Sequence, residues 1–260
     1  MGAIQGATEF VPVSSSAHLV LVPWLLGWPS PGLLFDTTVH WGTLLGALAY
    51  FWRDVVVLAA AALRAVLRRR LETTEERWAY LLVVGTLPAV VMGVLWEDFF
   101  ESLFDSPRTV SLLLMVTGAI LYFSERLGSQ RKGPEQLRTL DAVFIGIAQS
   151  CAIAPGISRS GATIGGGLWR GLRLDVAVRY AFLLSLPIVF GAGLLQLEPA
   201  LEAGGALDIT ALAVGFVAAA LTGYAAIRTL VRYVSSHRLL PFAVYCWALG
   251  LGTLLLGMLR

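Results

Sequence analysis

The sequence predicts an all-α polytopic membrane protein with about six transmembrane helices and two proline-broken re-entrant helix pairs, arranged as an inverted repeat. Three observations predict it. Of 260 residues, 57% are hydrophobic and only 14% are charged, with a mean hydropathy of +0.75, whereas a soluble domain carries about 25% charged residues. Six apolar runs, at 35–52, 78–96, 109–123, 176–196, 209–227 and 241–259, are separated by short charged or Gly/Pro-bearing loops, as spanning helices are. Two further apolar stretches, 1–26 and 142–168, are interrupted by polar residues and by Pro12 or by Pro155 and Gly156.

Taken in order, the stretch 1–26 cannot span as one helix. The break at Pro12 leaves a first piece of about ten residues, or roughly 15 Å of helix, against a hydrocarbon core about 30 Å thick. A half-helix that dips to mid-membrane, breaks at proline and returns to the same side satisfies both lengths. Backbone opened at that depth is tolerated only inside protein or around a wet cavity, so a cavity is implied. The run 35–52 is a span, and 54–67 reads as a kinked or interfacial extension of it, with a seventh segment as the alternative.

Basic residues orient the rest. Arg68, Arg69, Arg70 and Arg77 flank one end of 78–96, and Glu97, Asp98, Glu101 and Asp105 crowd the other. The first end is therefore cytoplasmic. The zigzag then puts Arg126, Arg131, Lys132 and Arg138 inside, Glu198, Glu202 and Asp208 outside, and Arg228, Arg232 and Arg238 inside again. Trp24, Trp28, Trp52, Trp78 and Trp96 fall near segment ends, where an aromatic belt belongs. The chain reads as one membrane domain over 1–260, with an inverted half 1–140 carrying the pair 1–26 and a half 141–260 carrying the pair 142–168. The first pair enters from outside and the second from inside.

Several classes are excluded. A net charge of +2 without interleaved basic and aromatic residues argues against a nucleic-acid partner. Cys151 and Cys246 lie far apart in apolar segments, without metal-ligand spacing, and read as buried thiols. The N-terminus lacks a basic region and a cleavage site, and Gly6 stands where a myristoylation motif needs Ser or Thr.

The chemistry-bearing residues gather at the two breaks. Glu9 sits in an apolar run, where an ionisable group costs about 2.5–3.5 kcal/mol on insertion scales and defaults to function. It suits a general base or a metal ligand. After Pro12 come Ser14, Ser15 and Ser16, which can cap the returning half-helix, whose free N–H groups form an anion site. His18 follows Ser15 by three residues and Ser14 by four, on one helix face. At the second break, Arg159 is the only charge between Asp141 and Arg170, and its planar fork matches phosphate oxygens. Gly156 and Gly161 permit close backbone approach, while Ser158, Ser160 and Thr163 supply hydroxyls. Two half-helix N-termini converging on one point beside a cation favour a multiply charged anion. His40 reads equally as packing or as a site-lining residue, and His237 as solvated.

The motifs QGATEFVPVSSSAH at 5–18 and PGISRSGAT at 155–163, with 35–52 and 239–243 beside them, resemble the bacterial undecaprenyl-diphosphate phosphatase family, also called the bacitracin-resistance family, over essentially the whole chain. The resemblance implies active-site roles for Glu9, Ser15, His18, Ser158, Arg159 and Thr163. It also implies an interdigitated inverted repeat in the bacterial plasma (inner) membrane, a site open to the periplasmic face, dependence on a divalent cation (Mg²⁺ or Ca²⁺), and a homodimer. The implied activity is hydrolysis of undecaprenyl diphosphate to undecaprenyl phosphate and inorganic phosphate, which recycles the lipid carrier for peptidoglycan and cell-wall synthesis and confers bacitracin resistance. The family's first motif commonly begins with a second carboxylate where this chain has Gln5. An amide oxygen can still ligate a hard cation beside Glu9, without the charge.

Two routes fit these residues. In one, His18 or Ser15 attacks the terminal phosphorus; in the other, Glu9 activates water and His18 protonates the leaving oxygen. In both, Arg159 and the half-helix N–H groups hold the diphosphate, with Ser14, Ser16, Ser158, Ser160, Thr163, Gly156 and Gly161 around it. The alternative class is a polyprenyl-phosphate flippase, since inverted repeats of broken helices also build transporters.

Overall fold

The computed structural model describes residues 1–202 and 208–259. The protein is 81% helical, with no strand among the described residues. The helices run α1 (Gly2–Glu9), α2 (Ser15–Leu26), α3 (Leu33–Arg68), α4 (Thr74–Leu95), α5 (Glu97–Ser102), α6 (Pro107–Leu127), α7 (Thr139–Cys151), α8 (Arg159–Trp169), α9 (Leu174–Leu195), α10 (Leu197–Glu202), α11 (Ile209–Tyr233) and α12 (Leu240–Leu259). Six of them, α3, α4, α6, α9, α11 and α12, are long and apolar enough to cross a membrane. This is a multi-pass membrane protein, and large apolar side chains such as Leu63, Val83, Leu195, Leu221 and Leu256 cover its outside.

Residues 54–67 continue the helical run of α3. The helix is 36 residues long and kinks at Phe51, whose φ/ψ of −96°/16° leaves the α-region. At about 1.5 Å per residue it is much longer than the roughly 30 Å hydrocarbon core, and its last turns carry Arg64 and Arg68. Trp78, near the start of α4 as expected, faces into the protein. It is buried, and its indole N–H donates to Pro134 O at 2.9 Å. A tryptophan near a helix end served the chain's own loop because a backbone acceptor lay within reach.

Both broken stretches are pairs of short helices. α1 and α2 have 8 and 12 residues, and α7 and α8 have 13 and 11, so no member reaches the about 20 residues needed to span. Phe10, within the first break, anchors it by an edge-on contact with Phe182 of α9 at 5.5 Å between ring centroids. α1 lies along α11, and α7 along α4. Both seams depend on absent side chains: a Cβ on Gly6 would come within 2.4 Å of Ala219 O, and one on Gly146 within 2.4 Å of Gly85 O. Without a hydrophobic drive between helices in lipid, such backbone approach is what holds them.

α6 and α12 form a second close pair. The hydroxyls of Ser111 and Thr253 meet at 2.7 Å, and Trp247 Nε1–H donates to Met115 O at 3.1 Å. The start of α7 is pinned by Asp141, fully buried, which accepts from Lys132 Nζ at 3.1 Å, Arg170 Nε at 2.7 Å and Arg138 N at 3.1 Å. That network ties the loop before α7 to the end of α8. The second broken pair is thereby fixed at its charged end, and its chain break is held at the other.

Candidate active site

The two breaks face each other because each supplies hydrogen bonds to the other. Ser16 Oγ accepts from Gly156 N at 3.3 Å, and Ser160 Oγ donates to Val11 O at 3.3 Å. The second break is also locked to α6: Thr117 Oγ1 donates to Gly156 O and accepts from Ser158 N, both at 2.9 Å. Gly156 has φ +102°, and a Cβ there would lie 2.4 Å from Val110 O, so the turn requires glycine on both conformational and steric grounds. A Cβ on Gly161 would lie 3.0 Å from Ser158 Cβ and 3.3 Å from Thr117 Cγ2.

The local capping chemistry follows from the serines. Ser14 caps α2 by accepting from Ala17 N at 3.3 Å, and Ser158 caps α8 by accepting from Gly161 N at 3.1 Å. Ser14 does so with φ 66°, a left-handed conformation in a non-glycine residue, which costs about 1–2 kcal/mol. The N–H groups of the first helical residues, Ser15 and Ser16 on α2 and Arg159 and Ser160 on α8, have no intrahelical partner by construction. Two helix N-termini therefore open toward the same region.

Glu9 is the hub of that region. Only 7% exposed, it ends α1. Its Oε1 meets Arg159 Nη2 at 3.2 Å. Its Oε2 accepts from Ser15 Oγ at 2.5 Å and from Gln5 Nε2 at 2.9 Å, and lies 3.8 Å from His40 Nε2. Arg159 is not consumed by this pairing: its Nη1 is buried without a hydrogen-bond partner. A buried unmatched donor on a guanidinium is costly, and an anionic oxygen is the group that would match it.

The expected residues thus divide. Glu9, Ser15, Gln5 and Arg159 form one connected cluster. Ser14, Ser16, Ser158 and Ser160 shape and cross-link the breaks, with Ser14 to Ser16 and Ser158 to Ser160 each at 3.1 Å between hydroxyl oxygens. Thr163 Oγ1 donates back to Arg159 O at 2.7 Å, steadying the turn that presents the guanidinium. Sequence alone could not separate these jobs, because a capping hydroxyl and a ligand-binding hydroxyl look alike in a motif.

The histidines exchange emphasis. His18 is buried, but it turns toward α12: its Nδ1 lies 2.7 Å from Ser14 O, and its Nε2 lies 2.7 Å from Tyr245 Oη, with the two rings nearly parallel. His40 of α3 comes within ion-pair distance of Glu9, held by Nδ1 at 2.7 Å from Asp36 O. Its sequence signal was only a histidine in an apolar helix. Tyr245 and Thr117 gave no signal, since both lie in ordinary spanning helices far from either motif.

The donor set can be compared with a hard cation's needs. Gln5 Oε1 is buried without a partner, on the side chain whose Nε2 donates to Glu9, so these two residues offer one amide oxygen and one carboxylate. Among the described residues no three His, Cys, Asp or Glu side chains gather to hold a metal ion by themselves. Such a pair fits Mg²⁺ or Ca²⁺ of the kind whose remaining ligands are water and phosphate oxygens.

The chain has close relatives. A protein of Desulforudis audaxviator named undecaprenyl-diphosphatase is 44% identical over 260 residues, covering 100% of this chain and 97% of the relative. Proteins of the same name from Halothermothrix orenii and Rubrobacter xylanophilus are 42% and 44% identical, covering 99% and 96% of this chain and 96% and 93% of the relatives. The family described as bacitracin resistance protein BacA matches residues 1–252. Nearly the full length of the chain is covered, including both breaks, and it belongs to the bacitracin resistance protein BacA family.

Proposed function

We propose that this protein hydrolyses undecaprenyl diphosphate to undecaprenyl phosphate and inorganic phosphate, regenerating the lipid carrier for peptidoglycan and cell-wall synthesis and so conferring bacitracin resistance. The observation that carries the reading is the 3.2 Å contact of Glu9 with Arg159, whose second terminal nitrogen has no partner. It sets a base beside an unmatched anion donor, between two helix N-termini. The relatives' shared name supports the substrate. A flippase finds no counterpart in those names.

Arg159 Nη1 and the free N–H groups at the two helix starts hold the terminal phosphate. The 2.5 Å hydrogen bond from Ser15 to Glu9 supports attack by Ser15: the Oγ–P bond forms as the bridging P–O bond breaks, Glu9 takes the serine proton, and undecaprenyl phosphate leaves. Water then cleaves the Oγ–P bond, releasing inorganic phosphate and restoring the serine. Direct activation of water by Glu9 uses the same carboxylate, and His18 serves the leaving oxygen in that route. Glu9 and Gln5 are the residues that would hold a divalent cation, which would offset the charge of the diphosphate.

The protein lies in the bacterial plasma (inner) membrane as a homodimer, with its site open to the periplasmic side. Basic residues at the α3–α4 turn, Arg68, Arg69, Arg70 and Arg77, support the orientation; the homodimer rests on the family resemblance. The two short-helix pairs are read as re-entrant members of inverted halves, which the matching glycine seams of α1 on α11 and α7 on α4 support.

The test is phosphate release from undecaprenyl diphosphate by purified protein, with and without chelator, for wild type, Arg159→Ala and His18→Ala. Release by wild type and its loss in Arg159→Ala is expected. No release by a folded wild type in the presence of Mg²⁺ or Ca²⁺ rejects the hydrolase reading.

A further inference from the structure

His18 is the one site histidine whose two ring nitrogens are both engaged at hydrogen-bond distance: Nδ1 with Ser14 O and Nε2 with Tyr245 Oη, each at 2.7 Å. A carbonyl oxygen only accepts, so Nδ1 must carry a proton in the neutral ring as well as in the cation. That leaves Nε2 as the nitrogen that gains or loses one. Its partner is a phenol, which donates to a bare Nε2 and accepts from a protonated one. Tyr245 can therefore hold the imidazole in one orientation through a whole proton-transfer cycle, which a carboxylate partner would instead bias toward the cation.

The surroundings agree with this assignment. The ring planes differ by 4°, with centroids 5.7 Å apart. Tyr245 is 44% exposed, on α12 at the edge of the bundle, so its ring stands between the site and the lipid-facing surface. The neighbouring Cys246 faces the first break, its Sγ 3.8 Å from Pro12 O. Tyr245 supplies the side-chain hydrogen bond to His18.

We propose that Tyr245 is a positioning residue that fixes the Nδ1–H tautomer and ring orientation of His18, and that its hydroxyl is the group through which Nε2 gains or loses a proton. This rests on the hydrolase reading for its consequence in catalysis, but not for its geometry. As the proton moves, the Tyr245 hydroxyl rotates from donor to acceptor, and no net charge is left on the phenol.

The experiment has two arms, in lipid nanodiscs. The chain has three histidines, so ¹⁵N-histidine labelling with His18→Asn as the assignment control isolates the ring signals of His18. Wild type is expected to give the Nδ1–H tautomer, and Tyr245→Phe to move the Nε2 resonance and its titration midpoint. In the second arm, Tyr245→Phe is expected to lower kcat about tenfold, a part of what general acid–base catalysis contributes, with KM changed less than about twofold. An Nε2–H tautomer in wild type overturns the proposal without any variant, and so does an unchanged His18 titration in Tyr245→Phe. If wild type shows the expected tautomer but releases no phosphate, the positioning stands and the hydrolase reading falls.

Discussion

The Glu9 carboxylate and the Arg159 guanidinium meet at 3.2 Å across two chain breaks that lie in opposite halves of the sequence. Each sits where a short helix ends or begins, Glu9 closing α1 and Arg159 opening α8. Removing one partner of a buried ion pair leaves an uncompensated charge, which costs about 3–5 kcal/mol. Arg159→Ala is therefore expected to lower kcat/KM at least about 100-fold, the scale of losing a preorganised anion donor, and to lower the unfolding midpoint as well. Arg159→Lys keeps the charge without the fork and should recover stability more than activity. Equal kcat/KM for wild type and Arg159→Ala would remove the pair from the mechanism.

Ser15 is the hydroxyl bonded to Glu9 at 2.5 Å, whereas Ser14 and Ser16 are spent on capping and on the second break. Ser15→Ala should reduce turnover about 1000-fold if Ser15 forms the covalent intermediate, a step of the size expected for loss of an activated nucleophile. Acid quenching with terminally ³²P-labelled substrate should trap label on wild type and none on Ser15→Ala. Label that persists in the variant assigns the bond elsewhere.

His40 lies 3.8 Å from Glu9 Oε2 and His237 hydrogen-bonds within its own loop. His40→Asn is expected to depress kcat/KM by about tenfold, the order of one charge-bearing contact in a partly buried site. His237→Asn should leave it within twofold. A pair of equal effects would show that the Glu9 contact carries no function.

Gln5 donates to Glu9 through its amide nitrogen at 2.9 Å and leaves its oxygen unmatched. Gln5→Glu would set two carboxylates side by side, and like charges at that range oppose joint ionisation unless a cation lies between them. The variant is expected to need divalent cation more strictly than wild type and to bind it about tenfold tighter, as an added anionic oxygen favours a hard cation. Isothermal titration with Mg²⁺ reads this directly; unchanged affinity argues that the cation is held elsewhere.

Gly6 is a structural counterpart, away from the hydroxyl chemistry. A side chain there would push a Cβ to within 2.0 Å of Thr222 Oγ1 and 2.4 Å of Ala219 O. Gly6→Val should destabilise by about 1–3 kcal/mol, the usual cost of overpacking, and displace Glu9 with α1. A thermal midpoint equal to wild type would mean that the α1–α11 seam yields freely.

Most of the architecture is legible in the sequence. Hydropathy and length give six spans, and Pro12, Pro155 and Gly156 mark the broken stretches, because bilayer thickness and proline's missing N–H are constraints each segment meets alone. The same local reading placed Glu9, Ser15 and Arg159 at the breaks, since a charge in an apolar run is visible without its partner. The kinked 36-residue α3 was only half legible: its composition changes at Arg53 and Asp54, yet the helix runs on to Arg68.

The sequence by itself determined a membrane protein with six apolar helices, two chain breaks and a set of polar residues at them. Only the tertiary structure decided which of those residues meet. It joined Glu9 to Arg159, assigned Ser14, Ser16, Ser158 and Ser160 to holding the breaks together, turned His18 to Tyr245, and brought His40 to the carboxylate. The reason is physical. Spanning and breaking depend on local length, hydropathy and backbone chemistry, whereas a hydrogen bond depends on the position and direction of two groups, which here are set by helix packing through contacts such as Gly6 on α11 and Gly146 on α4.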